Sequence, residues 1–193
     1  EPPVLTAGTA SITQEYTCLT TATIAIDPAG VSGGIAPYTY SINGITFGTA
    51  TSFTGLTAGT YTVTVKDASG CTFTATPVTI NPLTPISNLT FAGTAVTCPA
   101  QTSDITVTVA GGTAPFTYEI TAPAGAVVNN GSSAVFTGLE PGAYTFRVTD
   151  AKGCSFIKNH TINAITPITV IGQKISDVVC FGSSTGSLKY TVN

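Results

Sequence analysis

TGLTAGTYTVTVKDASGC, residues 54–71, returns further along the chain as TGLEPGAYTFRVTDAKGC, residues 137–154. In both copies, apolar residues alternate with threonine or another polar residue, as in Tyr61-Thr-Val-Thr-Val65 and Tyr144-Thr-Phe-Arg-Val148. A period of two is typical of a strand that buries one face. The chain is therefore predicted to be a tandem repeat built from β-strands.

A tight turn follows each repeated strand and leads directly into a cysteine. The turn contains Asp67 and Gly70 in the first copy, and Asp150 and Gly153 in the second. Aspartate accepts hydrogen bonds from its own turn, and glycine tolerates a positive φ. We therefore predict structural roles for these four residues.

A tyrosine opens each repeated strand, after the lead-in Leu-x-x-Gly-x-Tyr that ends at Tyr61 and at Tyr144. A tyrosine placed just after such a turn resembles the tyrosine corner of immunoglobulin-like sandwiches. We therefore predict an all-β fold of tandem immunoglobulin-like β-sandwich domains, with both tyrosines as structural residues.

Domain boundaries follow from three evenly spaced prolines, each of which precedes an alternating run that leads to a cysteine. They predict repeat 1 at residues 3–84, repeat 2 at residues 85–166, and the first strands of an incomplete repeat 3 at residues 167–193. The links at 83–85 and 165–167 are short and contain proline, which predicts a stiff rod.

The composition excludes several classes of function. Only 8% of the 193 residues are charged, the net charge is −3, and basic residues do not cluster, so nucleic-acid binding is not expected. Mean hydropathy is +0.37, but no apolar run is long enough for a spanning helix, so membrane insertion is not expected. The sequence shows no signal peptide, and we expect Glu1 to be an internal residue of a longer precursor or a terminus left by processing.

Five cysteines are interpreted as a disulfide framework with one cysteine left over. Pairing within each repeat predicts one intradomain disulfide per domain, Cys18 with Cys71 and Cys98 with Cys154. Each bond would contribute roughly 4 kcal/mol in the chain-entropy treatment. Cys180 is expected to pair with a cysteine beyond residue 193. Free buried thiols are a less favoured alternative. A zinc site is less favoured still, because neither a CxxC pair nor a neighbouring histidine is present.

Residues suited to catalysis or metal binding are scarce, so we predict no enzymatic activity and no cofactor. His160, the one histidine, is expected to be an ordinary strand or surface residue. Asp27, Asp67, Asp104 and Asp150 leave a calcium site as an alternative. Turn capping is favoured, because Ca²⁺ takes six to eight oxygen ligands and these carboxylates do not cluster in the sequence.

Two aromatic pairs and one loop are candidates for ligand binding. Tyr38 with Tyr40, and Phe116 with Tyr118, would form sugar-stacking platforms if exposed, but their recurrence favours core packing. The longer loop of repeat 2, Thr121 to Gly131, is the alternative contact site for a carbohydrate or a surface.

The combined motif resembles a known family. It consists of GG-x-x-P-[YF]-x-Y, then GL-x-x-G-x-Y-x-[VF]-x-V-x-D-x-x-GC, with a C-x-G-x-x-x-G opening at Cys180, Gly182 and Gly186. It is similar to the SprB-type repeat of very large cell-surface adhesins of gliding Bacteroidetes, whose parts are shared with other bacterial immunoglobulin-like and PKD-like domains. The resemblance implies export by the type IX secretion system and display as a long surface filament used in gliding motility.

The sequence and this resemblance together predict a non-catalytic stalk segment of an extracellular bacterial adhesin or surface filament. Neighbouring repeats are its expected partners, with surface polysaccharide or other cell-surface proteins as further candidates. One alternative is a carbohydrate- or surface-binding module. The other is a fibre subunit that polymerises by strand addition at the incomplete third repeat.

Overall fold

The structure, a computed structural model, describes five stretches of the chain: residues 3–98, 100–123, 128–166, 168–176 and 186–192. Within them nearly all regular structure is antiparallel strand, and the helical element is one turn of 3-10 helix, Pro28–Gly30. The predicted all-β fold is confirmed.

In chain order the strands are β1 (Ala10–Gln14), β2 (Ala22–Ile26), β3 (Thr39–Ser41), β4 (Ser52–Leu56), β5 (Gly59–Tyr61), β6 (Thr64–Lys66), β7 (Thr72–Thr74), β8 (Val78–Ile80), β9 (Ile86–Gly93), β10 (Ser103–Gly111), β11 (Thr117–Ala122), β12 (Val128–Asn129), β13 (Val135–Leu139), β14 (Gly142–Thr149), β15 (Ser155–Ile162), β16 (Val170–Ser176) and β17 (Ser187–Val192).

Strands β9 to β15 form a two-sheet sandwich. One sheet has the order β13-β10-β9, and the other has the order β12-β11-β14-β15. This is the immunoglobulin-like arrangement, in which the first, second and fifth strands face the third, sixth and seventh. The prediction of immunoglobulin-like sandwiches is confirmed.

Strand β14 shows how the alternating sequence builds this core. Tyr144, Phe146 and Val148 are buried, whereas the residues between them are partly or fully exposed. The ring of Phe146 is fully buried and packs against Phe91 at 4.9 Å and edge-on against Phe136 at 5.1 Å, between ring centroids. Both partners lie on the opposite sheet, so this one side chain joins the two layers. Burying a phenylalanine contributes about 1.5–3 kcal/mol.

Residues 10–80 repeat the same plan with shorter strands. The sheets are β1-β2-β4, β3-β6-β7 and β5-β8. The continuous pair β14 and β15 is matched here by two shorter pairs, β6 with β7 and β5 with β8. Pro77, which takes the place of His160, lies in the break between β7 and β8. Proline has no N–H to donate, so it interrupts the ladder.

Two separate hydrophobic cores result, one for each sandwich. The first is centred on the fully buried Ile24, Val63 and Val65, and the second on Leu89 and Phe146. The exact boundaries at 84/85 and 166/167 stay predictions.

The last two strands form a hairpin. Strand β16 pairs with β17 in antiparallel register, from Val170 with Val192 to Ser176 with Ser187. The side chains of β17 are exposed along its whole length. A two-stranded hairpin is at best marginally stable by itself. Its assignment to an incomplete third repeat stays a prediction.

Candidate functional site

The predicted turn of repeat 1 is organised around one buried carboxylate. Asp67 accepts two hydrogen bonds within its own turn, from the N–H groups of Ser69 (2.9 Å) and Cys71 (2.8 Å). Its other oxygen accepts from the N–H of Ile35 at 3.0 Å, in the loop after the double glycine. Gly70 closes the turn with φ of +90°. One side chain therefore fixes the cysteine and a neighbouring loop together.

Repeat 2 contains the same network. Asp150 accepts from the N–H groups of Lys152 and Cys154, both at 2.9 Å, and from the N–H of Thr113 at 3.0 Å. Gly153 takes φ of +73°. The two cysteines that follow these turns, Cys71 and Cys154, are thus held in the same local geometry.

Hydrogen bonding controls the acidity of Asp67. Burial by itself raises the pKa of this carboxyl, but the backbone N–H groups of Ile35, Cys71, Ser69 and Gly70 together outweigh burial. The pKa of Asp67 therefore lies below its ordinary value, and the carboxylate stays charged at neutral pH.

A disulfide joins the two repeats. Cys18 is bonded to Cys154, with Cα atoms 5.1 Å apart, and Cys71 and Cys98 are free and exposed. The predicted bonds Cys18–Cys71 and Cys98–Cys154 are therefore wrong. The predicted partner of Cys180 concerns a residue outside the described stretches.

The direction of the strands explains why pairing within a repeat fails. Cys154 directly precedes β15, whereas Cys98 lines a pocket with Ala164 and Ile165, beyond the other end of β15. Strand β15 has 8 residues, and a strand of that length spans about 26 Å. A disulfide requires Cα atoms within about 7 Å, so the two cysteines of one repeat cannot meet. The first cysteine of a repeat lies at its outgoing end, and the second lies at its incoming end.

Further contacts surround the bond across this joint. The N–H of Cys18 donates to the carbonyl of Lys152 at 2.9 Å. Lys152 Nζ lies 3.2 Å from Glu15 Oε2 in a partly exposed ion pair. Leu19 lies over Gly153, where an added β-carbon would stand 2.9 Å from Leu19 Cδ1. A turn of repeat 1 therefore covers the aspartate turn of repeat 2.

Threonine side chains shape the segment that presents Cys18. The hydroxyl of Thr17 accepts from the N–H groups of Leu19 (3.1 Å) and Thr20 (2.9 Å). The N–H of Thr17 donates to the carbonyl of Thr20 at 2.9 Å. Cys18 is thus held at the tip of a short closed turn.

A cavity of about 280 Å³ lies beside the joint. Its walls combine Ile12 and Tyr16 of repeat 1, the linker residues Pro82 and Leu83, and Lys152 of repeat 2. The linker and the disulfide thus connect the same two ends, and the repeats are held by two covalent links.

The predicted tyrosines take equivalent positions in the two repeats. The hydroxyl of Tyr61 donates to the carbonyl of Thr57 at 3.0 Å, and that of Tyr144 donates to the carbonyl of Glu140 at 2.8 Å. Each bond closes the turn that enters the strand, as in a tyrosine corner.

The calcium candidates lie apart in the fold. The carboxylate of Asp27 accepts from the N–H of Ala29 at the start of the 3-10 turn, and that of Asp104 accepts from the N–H of Gly138. Asp67 and Asp150 lie in the two turns described above. Among the described residues, no group of three or more His, Cys, Asp or Glu side chains is placed to hold a metal ion.

His160 lies on β15, where its ring stacks on Phe91 at 4.7 Å between centroids. The second members of the aromatic pairs, Tyr40 and Tyr118, are buried in the two cores, and burial raises the pKa of both phenols. Residues 124–127 of the predicted contact loop lie outside the described residues. The described part contributes β12, an edge strand that pairs with β11.

Sequence reasoning missed the residues of the joint, Glu15, Thr17, Leu19 and Lys152. None of them is a fixed position of a recognisable motif, and Lys152 stands at a variable position of the repeated turn, where the first copy has Ser69. The signal that was available is topological, because strand order and direction place the two cysteines of one repeat at opposite ends.

The fold and the joint define a class of protein, in which tandem immunoglobulin-like repeats are linked to one another by a disulfide. The family model of the SprB repeat matches residues 92–125, which confirms the resemblance for that segment. No curated protein sequence matches the chain.

Two solved structures show a distant likeness. One is the C-terminal 282-residue fragment of intimin, crystallised in complex with the intimin-binding domain of its translocated receptor, with 17% identity and a TM-score of 0.41 over 88% of this chain. The other is a tetra-tandem repeat in the extending region of a large adhesion protein, with 21% identity and a TM-score of 0.30 over 95% of this chain. The alignments cover 66% and 55% of those two chains.

No helix among the described residues has the length and apolar character needed to cross a membrane.

Proposed function

We propose that this chain is a non-catalytic stalk segment of a large extracellular bacterial adhesin, in which the disulfide-bonded joints between repeats transmit mechanical load. The observation that carries the proposal is the Cys18–Cys154 bond, which joins successive repeats in parallel with the linker. The SprB repeat match at residues 92–125 supports an adhesin-like structural segment.

The bond determines which part of the chain can be stretched. Cys18 and Cys154 are 136 positions apart. When the chain is pulled from its two ends, force enters at Cys18, crosses the disulfide and continues from Cys154. The linker and most of both sandwiches are outside this path, so the joint resists extension even if a sandwich loses its fold.

Single-molecule stretching of the whole chain from its termini tests this function. Reduction should increase the fully stretched length by roughly 450–490 Å, since the 136 positions become extensible at about 3.3–3.6 Å each. The Cys18→Ser variant should show the longer length without reductant, and Cys71→Ser should behave like the unmodified chain. Equal lengths for the oxidised and reduced protein would refute the mechanical role.

Surface display is the setting that fits this chemistry. Disulfides persist in oxidising compartments outside the cytoplasm, and the SprB-type resemblance adds type IX export and gliding as the specific route and role. In intact cells, a membrane-impermeant maleimide should label Cys18 and Cys154 only after an impermeant reductant is added. Labelling that requires lysis would contradict surface display.

A fibre subunit is the second candidate, favoured by the exposed β16–β17 hairpin. Leu188, Tyr190 and Val192 are each more than 60% exposed, a feature that strand addition by another copy would bury. Sedimentation at increasing concentration tests it. Polymers that persist in reductant would favour strand addition, whereas a monomer at all concentrations would exclude it.

A further inference from the structure

The turn at Cys71 is built like the turn at Cys154, but its surface is uncovered. Cys154 is 5% exposed because the Cys18 segment lies against it, whereas Cys71 is exposed. Gly153 faces Leu19, but a β-carbon added at Gly70 would meet nothing within 4 Å. The two turns therefore differ in whether a neighbouring repeat covers them.

An open groove adjoins Cys71 at the incoming end of repeat 1. It has a volume of about 380 Å³, and Val4, Leu5, Gly34 and Thr72 are among the residues that line it. Its position corresponds to the part of repeat 2 where the linker enters. In repeat 1 the carbonyl of Pro3 accepts a hydrogen bond from the N–H of Gly34, and in repeat 2 the carbonyl of Pro85 accepts the equivalent bond from the N–H of Gly112.

We propose that Cys71 is a second inter-repeat disulfide site, whose occupant is a preceding repeat of the same kind as residues 3–84. That repeat presents a cysteine in the position of Cys18, on the same threonine-closed turn. Cys98 is the reciprocal group at the outgoing end of repeat 2. This inference rests on the proposed stalk function and specifies how the array continues.

The bond forms by thiol oxidation. A thiolate attacks one sulfur of an external disulfide such as oxidised glutathione, and the second cysteine thiolate then displaces the glutathione. Two cysteine thiols become one disulfide, and one oxidised glutathione becomes two reduced glutathione molecules. The two protons leave with the glutathione thiols.

One contact of the known joint has no counterpart at the new site. Ser69 takes the position of Lys152, so the ion pair with Glu15 is lost. The side chains of that pair are partly exposed, and exposed pairs contribute little to stability. The bond at Cys71 therefore does not depend on it.

The test extends the complete chain with one added copy of residues 3–84 placed directly before Pro3. The new junction, Thr84–Pro3, reproduces the natural junction Thr84–Pro85. After oxidation with glutathione, free thiols are alkylated and the disulfides are mapped by mass spectrometry. We expect the original Cys71 to be protected and joined to Cys18 of the added copy, while Cys71 of the added copy is alkylated.

The matched control carries Cys18→Ser in the added copy only, and its original Cys71 should be alkylated. Alkylation of the original Cys71 in the unmodified extension, or its linkage to a different molecule, would overturn the proposal. The extension with Ser69→Lys in the original repeat, which adds a partner for Glu15, is the second variant, and its original Cys71 should be protected to the same extent because the bond does not depend on the ion pair. The same digest also shows whether the Cys18–Cys154 bond is present. If that bond is present and the stretching experiment gives the expected result, the proposed stalk function is supported even when Cys71 stays free.

Discussion

Leu19 of repeat 1 packs over Gly153 of repeat 2, so closely that a β-carbon on this glycine would lie 2.9 Å from Leu19 Cδ1 and 3.1 Å from Cγ. Gly70 occupies the same turn position in repeat 1, also with positive φ, and has open space in front of it. Comparing Gly153 with Gly70 therefore distinguishes the backbone strain of the turn from the packing of Leu19 at the joint.

Gly153→Ala and Gly70→Ala should therefore differ in one respect. The free energy of unfolding should fall by about 1–2 kcal/mol in both variants, because an L-residue is strained at positive φ. Only Gly153→Ala must displace Leu19, so only this variant should slow the reoxidation of Cys18 with Cys154, by about threefold. The effect is smaller than the usual cost of overpacking a core, because the side chain of Leu19 can turn away. Stopped aliquots alkylated during reoxidation measure the rate. Equal slowing in both variants would contradict the packing of Leu19 on Gly153.

The disulfide should stabilise both repeats together. The chain-entropy relation gives an upper value of about 5 kcal/mol for a loop of this size, and the full effect requires both sandwiches to unfold. Urea unfolding of Cys18→Ser, followed by circular dichroism, should show this loss and no further response to reductant. Cys71→Ser and Cys98→Ser, at exposed free cysteines, should stay within about 0.5 kcal/mol of the unmodified chain.

Local patterns in the sequence were sufficient for the fold. The alternation at Tyr144, Phe146 and Val148 follows from side chains that point to opposite faces of a strand, so it predicts which residues are buried. The Asp-x-x-Gly turn closes through hydrogen bonds between the aspartate and its own backbone, and it forms as predicted at both Asp67 and Asp150. These features depend on neighbours within a few residues.

The disulfide could not be predicted by the same reasoning. Pairing the two cysteines of each repeat ignores that Cys98 and Cys154 lie at opposite ends of β15. Their separation depends on strand direction and on how consecutive sandwiches are joined. The ion pair of Glu15 with Lys152 could not be predicted from the sequence either, because it joins residues of two different repeats and is not part of the repeated motif.

The two tyrosine corners should differ in strength. Tyr144→Phe removes a bond of 2.8 Å to the Glu140 carbonyl in a partly buried place, whereas Tyr61→Phe removes one of 3.0 Å in an exposed place. We expect a loss of about 0.5–1.5 kcal/mol for Tyr144→Phe and a smaller loss for Tyr61→Phe. Hydrogen exchange of residues 139–149 and 56–66 measures each effect locally. A larger loss at Tyr61 would contradict this order.

Acid should weaken repeat 1 through Asp67. Its folded pKa lies below the ordinary value, because the backbone N–H donors outweigh burial. Its contribution to stability is therefore complete above the unfolded pKa, near 3.9, and is lost as pH falls through the folded pKa. Asp67→Asn should be less stable than the unmodified chain at pH 7, because the amide has one oxygen and cannot accept both from the N–H of Ile35 and from the N–H groups of the turn. This difference in stability should shrink below about pH 4. Hydrogen exchange of residues 59–80 between pH 2.5 and 7 measures it, with Tyr61→Phe as a control that keeps the carboxylate. A difference that stays constant down to pH 2.5 would show that the charge of Asp67 does not stabilise the turn.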